Sequence, residues 1–274
     1  MDPVIKWAGG KRQLLPEIRA RVPREYGVYH EPFLGGGAVL LDLQPAVAKA
    51  NDVNEGIINL LRVVRDDVDG LIAVLEGHAR RNSAEYFYEV RAWDRQRESF
   101  AGLSDVERAA RMLYLNKTCF NGLHRVNSRG EFNVPFGRYK NPNIVNEKGL
   151  RAVHGYLAAH DVELTVGGFA EACDRAEKGD FVYLDPPYDV VSQTSNFTGY
   201  AQGGFGRAEQ EALHETCRAL DARGVKFLLS NSATPFILGL YEGEFEVDIV
   251  HASRAINSRA DKRGPVEEVL VRNY

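Results

Sequence analysis

An acid, two prolines and a tyrosine (Asp185, Pro186, Pro187 and Tyr188) close the stretch "DFVYLDPPY" at residues 180–188. The residues before them form strands well, whereas proline lacks the backbone N–H that a sheet ladder needs. A carboxylate at the C-terminal edge of a strand lies where open α/β sheets bind ligands. The prolines lock the following backbone and remove competing donors, so Asp185 and the Pro186 carbonyl are read as a pair of acceptors with nothing nearby to satisfy them. Such a pair suits an amino group with two hydrogens, and the flat face of Tyr188 suits the planar ring that would carry it. A stiff exit turn is the plain structural alternative.

Two glycine-rich stretches near the N-terminus extend this chemistry. In "IKWAGGKRQLL" (residues 5–15), Gly9 and Gly10 beside Ala8 allow close backbone approach, Trp7 offers a packing face and Lys11 reaches toward a polar end. The bland reading tucks the tryptophan into the core and snorkels the lysine to water. "EPFLGGG" (residues 31–37) reads as a strand end opening a helix, where glycines and free N–H groups can face a ligand. Asp52 ends the next strand about twenty residues later, a place from which an acid accepts ribose hydroxyls. The G-x-x-x-x-G-K pattern of NTP-hydrolysing loops is absent.

A third constellation is basic. The chain carries a net charge of −4, yet residues 111–140 hold Arg111, Lys117, Arg125, Arg129, Arg138 and Lys140 against the single acid Glu131, interleaved with Phe120, Phe132, Phe136 and Tyr139. Arginine grips guanine O6 and N7 with two bonds and asparagine fits an adenine edge, so Arg125 and Asn121 are the candidate base readers. Lys117, Arg129, Arg138 and Lys140 are assigned to phosphate, which supplies affinity without sequence information. A second basic loop, "HASRAINSRADKRG", carries Arg254, Arg259, Lys262 and Arg263 and is expected to close over the same ligand, while "SNFTGY" reads as a lid.

These residues need a frame. Strands alternate with helices in "YGVYHEPFLGGGAVLLDLQP" and "VAKANDVNEGIINLLRVV". Further strand runs follow in "VELTVGGF", "DFVYLDPPY", "VKFLLSNS", "FEVDIVHA" and "VEEVLVRNY", with a helical stretch in "RAEQEALHETCRALDARG". This alternation predicts an α/β sheet covered on both faces, closed by an antiparallel hairpin with a long loop. Residues 55–111 are helical in period, and "NKTCFNGLHRVNSRGEFNVPFGRYKNPN" runs on as a Gly/Asn/Pro-rich loop of a length that usually carries function. At 274 residues and 44% hydrophobic content the chain can bury a substantial core. No apolar run has signal-peptide or membrane-helix length, which predicts a cytoplasmic protein. Cys119, Cys173 and Cys217 are widely spaced, which predicts reduced structural thiols and no zinc or other metal site.

Taken in order, "KWAGGK", "EPFLGGG", "NDVN", "NKTCFNGLHRVN", "GEFNVPFGRY", "DPPY", "SNFTGY" and "LLSNS" resemble the Dam-type DNA adenine-N6 methyltransferases, the D12 group, across nearly the whole chain. The resemblance implies a Rossmann-like, seven-stranded methyltransferase sheet, mostly parallel with an antiparallel hairpin at its end. Residues 1–55 and 150–274 would form the catalytic domain, and residues 56–149 an inserted, mainly helical recognition domain. It implies S-adenosylmethionine as cofactor, contacted by Trp7, Lys11, Asp52 and Asp185 along a surface built from Ala8, Gly9, Gly10, Glu31, Pro32, Phe33, Gly35 and Gly37. Phe169 would meet the cofactor's adenine; "GGF" departs from the family there, since an acid often precedes the phenylalanine, and His124 occupies a position that varies. The implied reaction is direct in-line methyl transfer to N6 of an adenine flipped out of duplex DNA, within GATC, with Asp185, Pro186, Pro187 and Tyr188 catalytic. Asn121, Gly122, Leu123, Arg125, Pro135 and Tyr139 would read the target. The partner is double-stranded DNA, without membrane or metal, in keeping with a monomer and with functional pairing to a restriction endonuclease. Rival readings are methylation of cytosine N4, where serine tends to replace the acid, methylation of adenine in RNA, and a DNA-binding regulator without catalysis.

Overall fold

A computed structural model describes residues 1–189, 204–253 and 265–274. The expected strand runs form β1 (Tyr29–Glu31), β2 (Val47–Asp52), β3 (Asp161–Val166), β4 (Phe181–Leu184), β5 (Lys226–Ser232), β6 (Glu246–Ser253) and β7 (Pro265–Arg272). They make one seven-stranded sheet in the order β3-β2-β1-β4-β5-β7-β6. Strand β1 runs parallel to β2 and β4, and β4 parallel to β5, whereas β7 is antiparallel to both β5 and β6. The closing hairpin therefore seats its second strand, not its first, against the parallel portion. Eleven α-helices lie among the described residues: α1 (Leu15–Arg21), α2 (Ala38–Leu43), α3 (Glu55–Asp66), α4 (Val68–Arg81), α5 (Ala84–Ala92), α6 (Arg97–Ala101), α7 (Asp105–Thr118), α8 (Glu147–Ala159), α9 (Phe169–Asp174), α10 (Arg207–Ala222) and α11 (Pro235–Tyr241).

The chain divides into two compact units. The first comprises Met1–Gly10, Gly35–Ala46 and Asn54–Val166; the second comprises Lys11–Leu34, Val47–Val53 and Gly167–Tyr274. Helices dominate the first. Asn54 caps α3 by accepting the N–H groups of Gly56 and Ile57, and Ser104 with Glu107 forms a reciprocal capping box at the start of α7. Helix α7 continues through Thr118, so "NKT" belongs to the helix rather than to the loop. The loop itself is braced by antiparallel bridges between Cys119 and Phe136 and between Val126 and Phe132. Arg111 leaves the basic run altogether. It is buried, lies 2.8 Å from Asp94 and donates to the carbonyls of Val90 and Arg91, which makes it a packing cation.

In the second unit β4 is buried along its full length and β5 nearly so, which is why neither shows polar alternation. Val182, Leu184, Phe227, Leu229, Val269 and Val271 pack with Leu213, Cys217 and Leu220 of α10 and with Ile237 and Tyr241 of α11. Tyr183 points to the other face. Period-two alternation carries Asp185 to that same face, and the pairing of Leu184 with Leu229 puts it beside Ser230.

Asp180, at the entrance to β4, anchors this arrangement. It accepts the N–H groups of Val28 at 2.8 Å and Glu177 at 3.0 Å, and lies 3.0 Å from Nε2 of the buried His30. Burial pushes its carboxyl up, but these donors outweigh burial and leave it below its ordinary value, while burial lowers His30. A depressed carboxylate stabilises the fold above its unfolded pKa of about 3.9, and that contribution is lost as pH falls through the lower folded value. Asp180→Ala is expected to cost about 3 kcal/mol at neutral pH, a deficit that shrinks in acid. Denaturant unfolding of both proteins across pH measures it, and equal stability at pH 7 would contradict it.

The three cysteines are free and buried, and burial pushes the Cys119 and Cys173 thiols up to about 12, which leaves them poor nucleophiles. Among the described residues no helix is long and apolar enough to cross a membrane, and no group of three His, Cys, Asp or Glu side chains could hold a metal ion. Arg254, Arg259, Lys262 and Arg263 of the second basic loop, and "SNFTGY", lie outside the described residues.

Candidate functional site

The second unit places the acid-proline turn at the C-terminal end of β4. Asp185 is not the unsatisfied acceptor expected from its neighbours in sequence. Its Oδ1 lies 2.7 Å from Nζ of the buried Lys11 and accepts the Ser230 hydroxyl at 3.1 Å; that hydroxyl lies 3.0 Å from the Tyr183 hydroxyl. Burial pushes the Asp185 carboxyl above its ordinary value, with Lys11 and Ser230 pulling it back. One-fifth of its side-chain surface remains open (20%), and Oδ2 accepts no hydrogen bond among the described residues. The Pro186 carbonyl likewise accepts none among them. The oxygens without a donor among the described residues are therefore Asp185 Oδ2 and Pro186 O, while Oδ1 is held by Lys11 and Ser230.

Tyr188 is half-buried and doubly held. Its hydroxyl donates to Glu268 of β7 at 2.8 Å, and the Lys11 ammonium sits 4.5 Å from its ring centroid. Lys11 thus ties the carboxylate to the ring. Pro187 accepts a bond from Gln210 of α10 at 2.8 Å.

The other second-unit candidates gather around the ends of β1 and β2. Asn51 is buried and its amide donates to the carbonyls of Pro32, at 3.2 Å, and Gly167, at 2.9 Å; its own carbonyl accepts the Leu34 N–H. This one side chain knits the "EPF" exit to the "GGF" turn, so that Phe33 and Phe169 stack at 5.3 Å with Phe205 beside both. Asp52 follows on the strand, half-exposed, with its carbonyl accepting the Gly167 N–H. Glu31 is buried and accepts the Tyr29 hydroxyl at 2.7 Å. Sequence reasoning passed over Asn51 and Phe205; the one signal for Asn51 was a second polar residue at the strand end.

The first unit holds the remaining candidates. A Cβ on Gly35, whose φ is +49°, would come within 2.8 Å of Trp7, so glycine is required there by packing as well as by conformation. Gly37 precedes α2 at φ +71°, but six residues of helix carry little dipole, so the glycine turn acts chiefly as a platform for the indole. Ala8, Gly9 and Gly10 are exposed. Trp7 also lies against His124, with ring centroids 4.9 Å apart. Burial lowers His124 to about 4, so this contact is between neutral rings at neutral pH.

Residues of the basic loop are tied to the N-terminal segment by Asn116 of α7. Its Oδ1 accepts the Lys6 N–H at 2.9 Å while its amide donates to the carbonyls of Lys6 and Gly122 at 2.8 and 2.9 Å. Gly122, at φ +62°, could not carry a Cβ without meeting Lys6. Asn121 (φ +56°), Arg125, Pro135, Arg138, Tyr139 and Lys140 are each exposed, Leu123 and Lys117 are half-buried, and Arg129 lies 3.3 Å from Glu131. Arg125 is oriented by Asn133, whose Oδ1 accepts from Nε at 2.7 Å. Asn116 and Asn133 were visible in the sequence only as two of many asparagines.

Residues 7–256 match the model of the D12 class N6 adenine-specific DNA methyltransferases. A type II methyltransferase of Lactococcus lactis subsp. cremoris is 43% identical over 274 residues, covering 100% of this chain and 96% of the relative. One from Methanocaldococcus jannaschii is 41% identical over 292 residues, covering 100% and 99%. The DNA adenine methylase of Escherichia coli strain K12 is 34% identical over 269 residues, covering 97% and 93%.

Proposed function

The chain belongs to the D12 class of N6 adenine-specific DNA methyltransferases, and from that premise we propose that it methylates N6 of adenine within GATC in duplex DNA, using S-adenosylmethionine. The observation that carries the reading is the pair of open acceptors, Asp185 Oδ2 and Pro186 O, beside the half-buried Tyr188 ring. The cofactor supplies an electrophilic methyl on a sulfonium. For it, Phe33 and Phe169 offer stacked aromatic surface, Asp52 a carboxylate, and Trp7 an indole braced by the glycine turn.

An adenine N6 is a poor nucleophile because its lone pair is delocalised into the ring. By accepting both N–H bonds, Asp185 Oδ2 and Pro186 O favour a pyramidal nitrogen and turn its lone pair outward. The base must first leave its stack, at a cost of a few kcal/mol. Since Lys11 occupies one face of Tyr188, the flipped base would stack on the other. Asn121, Gly122, Leu123, Arg125, Pro135 and Tyr139 would read the target, and Lys117, Arg138 and Lys140 would meet phosphate. Single-molecule sequencing of DNA from a methylation-free host expressing the chain tests this directly. N6-methyladenine confined to GATC is expected; N4-methylcytosine, another motif, or unmodified DNA would overturn the assignment.

A further inference from the structure

A Pro-Pro turn cannot be fastened by its own donors, because neither residue has an N–H. Both φ angles are set by the rings, so the freedom left in Asp185–Tyr188 is largely the ψ rotation of Pro186 and Pro187. The latter is governed by whatever holds the Pro187 carbonyl. That carbonyl accepts Nε2 of Gln210 at 2.8 Å, and Gln210 is only 1% exposed.

Gln210 is itself oriented. Its Oε1 accepts the amide of the fully buried Asn231 at 3.0 Å, and Asn231 Oδ1 accepts the Asp189 N–H at 3.1 Å. Ser232 donates to the Asp189 carbonyl at 2.7 Å, and Thr234 to its carboxylate at 2.7 Å. The "SNS" tip of β5 therefore grips the turn at both ends, Ser230 at Asp185 and Asn231 with Ser232 at Asp189, while Gln210 holds its middle.

We infer that Gln210, aligned by Asn231, is a positioning residue for methyl transfer: it fixes the Pro187 peptide plane and with it the direction of the Pro186 carbonyl and the Tyr188 ring. The inference rests on the adenine methyl transfer proposed above. It touches no substrate; its effect is transmitted through backbone geometry, where a shift of about 1 Å can cost about 100-fold in rate.

Two variants test it. Gln210→Met keeps volume and shape but loses both bonds; a fall of about 10- to 100-fold in single-turnover methylation of duplex DNA is expected. The dissociation constants for S-adenosylhomocysteine and for the duplex should stay within about two-fold. In Gln210→Glu, the ionised carboxylate repels the Pro187 carbonyl. Once protonated it donates there and still accepts from Asn231, so its rate relative to the parent at the same pH should rise as pH falls. A Gln210→Met rate near that of the parent, a loss that merely tracks binding or melting temperature, or a pH-independent Glu-to-parent ratio would each overturn the inference. A parent chain that transfers no methyl to duplex adenine would instead remove the reading on which it rests.

Discussion

Asp185→Ala and Asp185→Asn are each expected to abolish methyl transfer, by at least about 1,000-fold, while leaving a folded chain. The magnitude follows from removing a preorganised acceptor whose partner bond strengthens as charge develops on nitrogen, an effect of about 100- to 1,000-fold for a single such group, compounded by loss of orientation. The two variants separate chemistry from stability. Alanine removes the carboxylate that lies 2.7 Å from the ammonium of the 6%-exposed Lys11, and removing one member of such a pair costs about 3–5 kcal/mol. Asparagine removes the charge but retains an oxygen for Lys11 and Ser230, and presents an NH2 group in place of Oδ2, so the melting temperature should fall less than in the alanine variant while transfer is lost equally. Labelled-methyl transfer assays together with thermal melts decide the matter; robust activity in the asparagine variant removes Asp185 from the chemistry.

Arg125→Ala is expected to relax discrimination at the first base pair of the target. A bidentate arginine–guanine contact contributes about 1–3 kcal/mol of selectivity, so the ratio of kcat/KM between the intended duplex and one substituted at that pair should fall by about 5- to 150-fold. Activity on the substituted duplex should change far less than activity on the intended one. Asn133 holds Arg125 through Nε at 2.7 Å and Nη2 at 3.4 Å, so the edge that Nη1 shares with Nη2 is the one left to face a base. An unchanged preference across a panel of substituted duplexes would assign the reading to another residue.

The strands were legible because parallel, doubly covered strands are written as uninterrupted apolar runs, and the acid-proline turn because prolines mark where such a run must end. The partners of Asp185 were not. Lys11 lies far away in sequence, and nothing in "KWAGGKRQ" says that its ammonium folds back onto a carboxylate and a tyrosine ring. The basic loop was legible as charge, but charge alone does not separate Arg111, buried against Asp94, from the exposed Arg138. Asn51, Asn116 and Gln210 share one physical reason for having escaped notice. Each is an amide whose value lies in the backbone carbonyls it satisfies, and those partners come from distant parts of the chain.

The place of β7 bears on how this molecule comes to life. Although last of the strands in sequence order, it lies inside the sheet, against β5, and brings Glu268 to the Tyr188 hydroxyl. A nascent chain that has exposed Asp185 and Tyr188 but not yet this strand has an unfinished sheet edge at β5 and a tyrosine without its anchor. Assembly of the catalytic ensemble must wait for a pairing of high sequence separation, which is slow to form. Transferase activity should therefore appear late in biosynthesis, after emergence of β7 from the ribosome, rather than growing gradually as the polypeptide lengthens.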